Sequence, residues 1–228
     1  DIGGQTAKLG LVDARGNVLV QTVIKSNDTD SYETFIDNLC EAIKKMLGSE
    51  YSLDQVRGIG IGAPNGNYYK GTIENAVNLT FGGQRVIPFT ETMSKKIGLP
   101  VRLTNDANAA AVGEMTYGAA RGMKNFIMIT LGTGVGSGIV VGGYVLYGHD
   151  GFAGELGHVT MVRKNGRLCG CGKTGCLEAY ASATGVARTA RELLEATDRK
   201  SVLRDLPAES ITSKDVFEAA MEGDELAK

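Results

Sequence analysis

The sequence predicts an α/β fold with a mixed sheet, and three observations lead to this prediction. Apolar runs of strand length alternate along the chain with segments whose apolar residues recur every three or four positions, as in helices. Turn residues that favour hairpins separate several of the predicted strands, so antiparallel pairs should accompany parallel ones. The length of 228 residues, with 43% hydrophobic residues, suffices for one large or two small domains with a buried core.

Each predicted strand is a short apolar run that ends at a glycine or another turn residue. The first two, residues 8–12 and 18–24, flank a turn at residues 14–17 and should form a hairpin. The other predicted strands are, in chain order, residues 56–61, 101–103, 125–131, 137–141 and 144–147.

The predicted helices follow the spacing of apolar residues or runs of alanine. In residues 31–47 the apolar side chains recur at steps of three and four, and Cys40, on or beside this stripe, is expected to be a core thiol. Residues 88–97 form a predicted helix that Gly98 ends, and the alanine-rich run 107–115 forms another. The remaining predicted helices lie at about 177–182, 185–195 and 213–222.

The sequence changes from strand-led to helix-rich near residue 105, which is the predicted domain boundary. We expect a small α/β domain at residues 1–104 and a larger α/β domain at residues 105–228.

Composition excludes several classes of function. The chain has 24 basic and 26 acidic residues, a formal charge of −2, whereas an electrostatic nucleic-acid binder has a basic excess. It contains no apolar run of about 18 residues that could span a membrane, and no N-terminal signal peptide. We therefore expect a cytoplasmic protein whose partners are neither nucleic acids nor membranes.

Two glycine-rich segments echo each other along the chain. Residues 1–6 and residues 131–136 each precede a predicted strand, a turn and a second strand. This echo suggests a duplicated domain whose facing turns present backbone N–H groups to a phosphate chain, with Gly132, Gly134 and Gly136 allowing close approach. Each segment alone could equally be an ordinary hairpin turn, and neither is the dinucleotide fingerprint, because a strand follows it.

The chain has a compact set of candidate metal ligands. His158 precedes Cys169, Cys171 and Cys176 in the pattern His-x10-Cys-x-Cys-x4-Cys. Three thiolates and one imidazole suit a tetrahedral zinc ion, and four protein ligands make the site structural. The alternative is a disulfide between two of the cysteines with the third thiol left over. Thiolate ligands also suit a reducing compartment.

Asp106 lies where a predicted strand ends and a predicted helix begins. One interpretation is an N-cap, since a carboxylate there accepts hydrogen bonds from the first helical turn. The other is a general base at the carboxyl end of a strand, which accepts the proton of a hydroxyl that attacks a phosphoryl group. Glu155 and Glu178 beside the cysteines add fixed hydrogen-bond acceptors, which suggest a polyol substrate.

These residues resemble the motifs of the ROK family of sugar kinases, repressors and uncharacterised open reading frames. Residues 169–178 (CGCGKTGCLE) resemble the zinc signature of the family, and residues 155–158 (ELGH) resemble its Glu-x-Gly-His motif. Residues 131–138 are similar to its second phosphate loop, residues 105–108 to its catalytic segment and residues 1–4 to its first phosphate loop. The zinc signature is the most specific of these motifs.

The resemblance implies an actin-like, ribonuclease-H-like fold of duplicated mixed-sheet domains with a sugar bound in the cleft between them. It implies ATP-dependent phosphorylation of a hexose 6-hydroxyl, with glucose as the first candidate and the bacterial glucokinases as the most similar subgroup. ATP, Mg²⁺ and a structural Zn²⁺ are the implied cofactors, and Asp106 matches the base. The other matched positions are the hexose contacts Asn105, Glu155, His158 and Glu178, and the nucleotide contacts Asp1, Gly3, Gly4, Thr6, Gly132, Thr133, Gly134 and Gly136.

The chain departs from the family pattern in three places. Gln5 separates Gly4 from Thr6, where family members usually have threonine directly after the glycines. Asn65 stands where many members have glycine, and asparagine tolerates a positive φ better than most residues. Both ends also look cut, because family members have an apolar strand before the position of Asp1 and continue past the last residue of this chain.

Other functions stay open on the sequence alone. Kinases for N-acetylmannosamine, N-acetylglucosamine, fructose or allose share these motifs. A sugar-sensing repressor of the same family would carry an N-terminal helix-turn-helix, whereas here the first phosphate loop begins at residue 1. A non-catalytic sugar-binding fragment is the third alternative, because the resemblance places an adenosine-binding loop beyond residue 228. The resemblance also implies a homodimer or homotetramer.

Overall fold

The structure, a computed structural model, describes residues 1–76, 78–81 and 86–228. Contacts divide it into two compact units. The first unit comprises Asp1–Met128 and Gly138–Gly154, and the second comprises Ile129–Ser137 and Glu155–Lys228. The domain boundary between residues 104 and 105 stays a prediction; it falls within the strand Val101–Asn105, and that strand and the following helix both belong to the first unit.

The described chain alternates strands and helices, which confirms the predicted α/β class. The strands are β1 (Thr6–Val12), β2 (Val18–Lys25), β3 (Ile59–Ala63), β4 (Gly66–Asn67), β5 (Thr72–Glu74), β6 (Val86–Ile87), β7 (Val101–Asn105), β8 (Phe126–Leu131), β9 (Val135–Val141) and β10 (Tyr144–Val145). The α-helices are α1 (Tyr32–Leu47), α2 (Phe89–Ile97), α3 (Asp106–Tyr117), α4 (Glu178–Ala181), α5 (Ala183–Ala196) and α6 (Ser213–Met221).

Each predicted strand and helix has a counterpart, with ends that differ by a few residues. Strands β4, β5 and β6 were not predicted, because strands of two or three residues are too short to show an alternating pattern. The turn after Pro64 forms as expected, since Asn65 adopts a φ of 52°.

The strands of the first unit combine parallel and antiparallel pairs. β1 pairs with β2 in the predicted antiparallel hairpin, and β4, β5 and β6 form a small antiparallel sheet. β3 and β7 are parallel, with Gly62 opposite Thr104 and Ala63 opposite Asn105. Because parallel strands end at the same edge, the residues that follow β3 and β7 lie side by side there.

The core of the first unit forms around α1 and α2. Phe35 of α1 is fully buried and stacks on Phe81, with ring centroids 4.7 Å apart, and Phe89 of α2 packs at an angle against Phe35. Burying each such side chain stabilises the fold by about 1.5–3 kcal/mol. Leu103 of β7 belongs to the same buried cluster, as does Cys40, so the predicted core thiol is confirmed.

β8, β9 and β10 form a three-stranded sheet in the order β10-β9-β8, and the boundaries between the units run through β8 and β9. Gly142 and Gly143 make the turn between β9 and β10 with φ angles of 63° and 87°, a region that glycine adopts without steric cost.

The second unit contains α4, α5 and α6. Its apolar core includes Leu203, Ile211 and Val216, against which Val186 and Leu194 of α5 pack. Of the helices that the structure describes, none has both the length and the hydropathy that a membrane span needs.

Candidate functional site

Asn105 and Asp106 occupy the junction between β7 and α3. The Asn105 side chain caps the helix, because the Ala107 N–H donates to Asn105 Oδ1 at 2.9 Å. Asp106 is the first helical residue and is exposed, although the same N–H lies 2.8 Å from its Oδ1. The cap is therefore supplied by Asn105, and the Asp106 carboxylate stands at the positive end of the helix dipole, accessible to solvent.

Asp1 lies beside Asp106 in the first unit. A Cβ atom placed on Gly62 would lie 3.5 Å from the Cα of Asp106 and 4.0 Å from Oδ1 of Asp1. The Gly62 carbonyl also accepts a hydrogen bond from the Ile2 N–H at 2.8 Å, which fixes the start of the chain against β3. The predicted base and the predicted nucleotide contact are thus brought together at one sheet edge.

The first glycine loop, residues 1–6, is tightly closed. The Gly3 N–H donates to the Thr6 carbonyl at 2.9 Å, and the Ser26 hydroxyl donates to the Gly3 carbonyl at 2.6 Å. A Cβ on Gly4 would lie 2.8 Å from the Asn78 carbonyl oxygen, so no side chain fits there. Thr6 begins β1 and is exposed.

The second glycine loop, residues 131–136, leads from β8 into β9. Its Gly132 N–H donates to the Gly134 carbonyl at 3.0 Å, while Thr133 is exposed. Gly136 lies within β9. The N–H that follows Gly134, that of Val135, donates to Glu178 Oε2 at 3.0 Å.

Glu178 lies against this loop, a contact that the sequence did not reveal. A Cβ on Gly134 would lie 2.5 Å from Glu178 Oε2, so the absence of a side chain makes room for the carboxylate. The other carboxylate oxygen accepts from Cys169 Sγ at 3.5 Å. Glu178 thus joins the second glycine loop to the cysteines.

The four candidate metal ligands form one cluster within the second unit. Ligand atoms of His158, Cys169, Cys171 and Cys176 all lie within 4.8 Å of one another. The Sγ atoms of Cys171 and Cys176 are 3.7 Å apart, as are Cys169 Sγ and His158 Nδ1. Two thiolates on a tetrahedral zinc ion are separated by about 3.8 Å, given a Zn–S bond of about 2.3 Å. These separations and the donor set fit a zinc ion.

The thiols of this cluster have shifted pKa values. Burial raises the pKa of Cys169 to about 12. The pKa of Cys171 is lowered: burial opposes the shift, but hydrogen bonds from the Lys173 backbone N–H and from the neighbouring thiols outweigh it. A thiol as buried as Cys169 loses its proton readily only beside a positive charge, which a bound metal ion supplies.

A short hairpin of residues 167–176, here called the cysteine hairpin, presents the three thiols. Leu168 and Thr174 form a β-bridge across it, and the Cys169 N–H donates to the Lys173 carbonyl at 2.8 Å. Gly175 has a φ of 79°, and a Cβ there would collide with the Val162 carbonyl. The glycine is required because the backbone passes so close.

Glu155 precedes a single 3-10 turn that ends at His158 in the second unit. The His158 N–H donates to the Glu155 carbonyl at 3.1 Å, and the His158 carbonyl accepts from Lys173 Nζ at 3.0 Å. Glu155 is exposed and His158 is half-buried. The second unit therefore brings Glu155, His158, Glu178, the cysteines and the second glycine loop into one region.

Arg167 lies at the start of the cysteine hairpin and was not identified from the sequence. Its guanidinium carries hydrogen bonds to α4, to α5 and to Glu192. In the sequence, a single arginine before a cysteine motif cannot be distinguished from an exposed arginine on the surface.

Comparisons with known proteins identify chains of similar sequence and fold. The ROK family description matches residues 1–228. A glucokinase of Halalkalibacterium halodurans is 42% identical over 230 residues, which cover all of this chain and 69% of that protein.

Two solved structures have the same fold. A ROK family glucokinase from Streptomyces griseus, in complex with glucose and AMPPNP, is 35% identical with a TM-score of 0.76, over 99% of this chain and 71% of that one. A ROK family transcriptional regulator, a homologue of the E. coli MLC protein, has a TM-score of 0.85 at 29% identity, over 99% of this chain and 56% of that one. The fold alone therefore does not separate a kinase from a regulator.

Proposed function

The chain belongs to the ROK family, and on that premise we propose that the protein is an ATP-dependent kinase that phosphorylates the 6-hydroxyl of glucose. One observation carries the proposal: the Asp106 carboxylate stands exposed at the end of β7, beside Asp1, while Asn105 caps the helix. If Asp106 served only as the N-cap, Asn105 would not be needed to cap the helix.

Asp106 is the general base of the proposed reaction. It accepts the proton of the sugar 6-hydroxyl as that oxygen forms a bond to the γ-phosphorus of ATP. The bond from the γ-phosphorus to the bridging oxygen breaks, and ADP leaves with the electron pair. Because the reaction is mostly a matter of positioning and charge neutralisation, the loss of the base should slow turnover without abolishing sugar binding.

Each of the two glycine loops supplies proposed nucleotide contacts. Gly3, Gly4 and Thr6 of the first loop and Gly132, Thr133, Gly134 and Gly136 of the second are the proposed phosphate contacts. Asp1 is the proposed residue for placing Mg²⁺, since carboxylate oxygens are the ligands that this ion prefers. The ion supplies neutralisation of the phosphate charge when it is bound.

The acceptor sugar contacts Asn105, Glu155, His158 and Glu178 in this proposal. These side chains offer carboxylate and amide groups that pair with neutral hydroxyls, and a buried acceptor left without a hydroxyl would disfavour an incomplete analogue. His158 turns Nδ1 toward Cys169, so Nε2 is the ring nitrogen that would contact the sugar.

Zinc is the proposed structural ion of the cluster formed by His158, Cys169, Cys171 and Cys176. The donor set and the separations of the donor atoms support this choice. His158, Cys169, Cys171 and Cys176 would fill all four positions on the ion, which would leave it a structural role in fixing the hairpin beside Glu178. Free thiols also suit a reducing cytoplasm, which is the proposed location, and a homodimer or homotetramer is the proposed assembly.

A regulator of sugar-responsive genes is the second candidate function. The observation that favours it is the TM-score of 0.85 to a ROK family transcriptional regulator, the larger of the two reported above. The formal charge of −2 favours the kinase, because a basic surface would serve a DNA-binding protein better.

A coupled ADP-release assay on the intact protein tests the proposal. The panel contains glucose, N-acetylmannosamine, N-acetylglucosamine, fructose and allose, with ATP and Mg²⁺, and a reaction without sugar as the control. We expect glucose to give the largest kcat/KM. Greater turnover of another hexose would reassign the substrate, and no sugar-dependent ADP release would favour the regulator.

A further inference from the structure

Arg167 is an almost buried arginine at the start of the cysteine hairpin. Its side chain is 10% exposed, and the guanidinium carbon lies 4.5 Å from the centroid of the Tyr180 ring. Its hydrogen bonds reach the carbonyl oxygens of Ala179 (3.0 Å) and Gly185 (3.3 Å), the hydroxyl of Thr189 (2.8 Å) and the carboxylate of Glu192 (2.6 Å). A buried charge this fully paired has a defined position.

The backbone of Arg167 belongs to the hairpin itself. Its N–H donates to the Tyr180 hydroxyl at 2.9 Å, and its carbonyl accepts from the Gly175 N–H at 2.8 Å. Gly175 precedes Cys176, and Cys169 lies two residues after Arg167. The residue therefore links the two arms of the hairpin to each other and to the helices that follow.

Those helices begin at Glu178. Its carboxylate accepts from the Val135 N–H at 3.0 Å, and its other oxygen lies 3.5 Å from Cys169 Sγ. It sits at the first position of α4, the helix whose Ala179 and Tyr180 contact Arg167. A displacement of α4 relative to the hairpin would move this carboxylate from both partners.

We propose that Arg167 is a positioning residue for acceptor binding: it locks the cysteine hairpin to α4 and α5 and so holds Glu178 in place. This inference rests on the proposed function, in which Glu178 contacts the sugar. Because the same hairpin carries Cys169 and Cys171, the contacts of Arg167 also slow the dissociation of a metal ion from the cluster.

Arginine suits this role better than lysine. Its planar fork reaches two carbonyls, a hydroxyl and a carboxylate at once while its face covers Tyr180, whereas an ammonium group offers three donors at one point. Arg167→Lys should therefore keep some of the hydrogen bonds to carbonyl oxygens that Arg167→Met loses, and so show a smaller defect.

Arg204 provides a matched control within the same unit. Its guanidinium also bonds backbone carbonyls, those of Arg199, Leu194 and Thr197, at the other end of α5. It belongs to neither the cysteine hairpin nor α4. Arg204→Met should lower thermal stability without affecting acceptor binding.

The experiment compares the wild-type protein with Arg167→Met, Arg167→Lys and Arg204→Met in the intact, zinc-loaded form. Steady-state kinetics give KM for glucose, KM for ATP and kcat, and a chromogenic chelator reports the rate of zinc release. For Arg167→Met we expect about tenfold increases in KM for glucose and in the zinc-release rate, as for other residues that orient metal-site ligands. KM for ATP and kcat should change by less than about twofold, and Arg167→Lys should lie between the wild type and Arg167→Met.

Several results would overturn the inference. A lower melting temperature in Arg167→Met with unchanged KM for glucose and zinc release, as expected for Arg204→Met, would overturn it. Equal increases in KM for glucose and KM for ATP would do so as well. If Arg167→Met does not fold, Arg167→Lys and Glu192→Gln supply the same comparison, and an unchanged zinc-release rate in both contradicts the inference. If the wild-type protein phosphorylates no hexose, the proposed function fails, while the zinc-release rates still decide whether Arg167 locks the hairpin.

Discussion

In the first unit, Asn105 and Asp106 lie at the end of β7, and Leu103 of that strand belongs to the apolar core that contains the stacked Phe35 and Phe81. In the second unit, Glu178 lies beside the cysteine hairpin. Apolar burial holds the first arrangement. The apolar core that the structure describes in the second unit, around Leu203 and Ile211, includes no residue of the hairpin. Hydrogen bonds and the metal-ligand cluster must therefore hold the second.

In the proposed function, this difference separates the chemical roles of the two regions. A base that takes a proton needs a fixed position on a rigid element, which β7 and the cap of α3 provide. The proposed acceptor contact Glu178 lies instead beside the cysteine hairpin, whose geometry the proposed zinc ion and Arg167 would maintain. Perturbing the first region should change kcat, whereas perturbing the second should change sugar affinity.

Asp106→Asn should give the largest effect. The amide keeps the size and polarity of the side chain but accepts no proton, and the loss of a general base costs about 10²–10⁴-fold in rate. kcat in the ADP-release assay should fall by that amount, while calorimetry should still detect glucose binding. Glu114→Gln at the other end of α3, where the carboxylate accepts from the Ala119 N–H at 2.7 Å, is the control and should retain turnover. Loss of both binding and turnover in Asp106→Asn would make Asp106 structural.

Cys171→Ser should have the next largest effect, confined to the second region. Replacing one thiolate ligand releases zinc, and we expect glucose affinity to fall by about tenfold as the hairpin loosens. Metal analysis and a glucose titration measure the two effects. The control is Cys40→Ala. Cys40 lies in the core of the first unit, outside the metal-ligand cluster, so this variant should retain zinc. Full zinc content in Cys171→Ser would refute the ligand assignment.

Gly134→Ala should displace Glu178, because the added methyl group would lie 2.5 Å from its carboxylate. KM for glucose should rise several-fold. A Cβ on Gly132, two residues earlier, has nothing within 4 Å, so Gly132→Ala should leave Glu178 in place and act on the nucleotide alone. The comparison of KM for glucose and for ATP in the two variants checks this. Equal increases in KM for glucose in Gly134→Ala and Gly132→Ala would contradict a specific contact between Gly134 and Glu178.

Glu192→Gln should have the smallest effect, which is present at neutral pH and disappears at acidic pH. Hydrogen bonds from Arg167 and then Arg188 lower the pKa of Glu192 below its usual 4.5. A carboxylate with a lowered pKa stabilises the fold above the unfolded value, and this contribution disappears as the pH falls through the folded pKa. With the Glu192 side chain 47% exposed, solvent screening limits the contribution to less than about 1 kcal/mol.

Thermal melts between pH 7 and pH 3 should therefore show wild-type stability falling toward that of Glu192→Gln. Glu218→Gln, which removes the longer 3.6 Å pair with Lys214, is the control. A constant difference between wild type and Glu192→Gln over this range would contradict the prediction.

The sequence predicted the elements of the fold better than the contacts of the site. Apolar periodicity located α1 and its core thiol Cys40, because burial leaves a regular pattern in sequence. The spacing of the cysteines likewise located the metal-ligand cluster, since its ligands are close along the chain. The bond between Glu178 and the Val135 N–H spans 43 residues, and Arg167 bonds to residues as far as 25 positions away. Such long-range polar contacts leave no local pattern.

The most direct test of the division between the two regions is a calorimetric titration of glucose into Asp106→Asn and Cys171→Ser, side by side with the wild-type protein. We predict that Asp106→Asn binds glucose with nearly wild-type affinity and that Cys171→Ser binds it about tenfold more weakly. The reverse pattern, weakened binding in Asp106→Asn and unchanged binding in Cys171→Ser, would contradict the assignment of chemistry to the first region and acceptor positioning to the second.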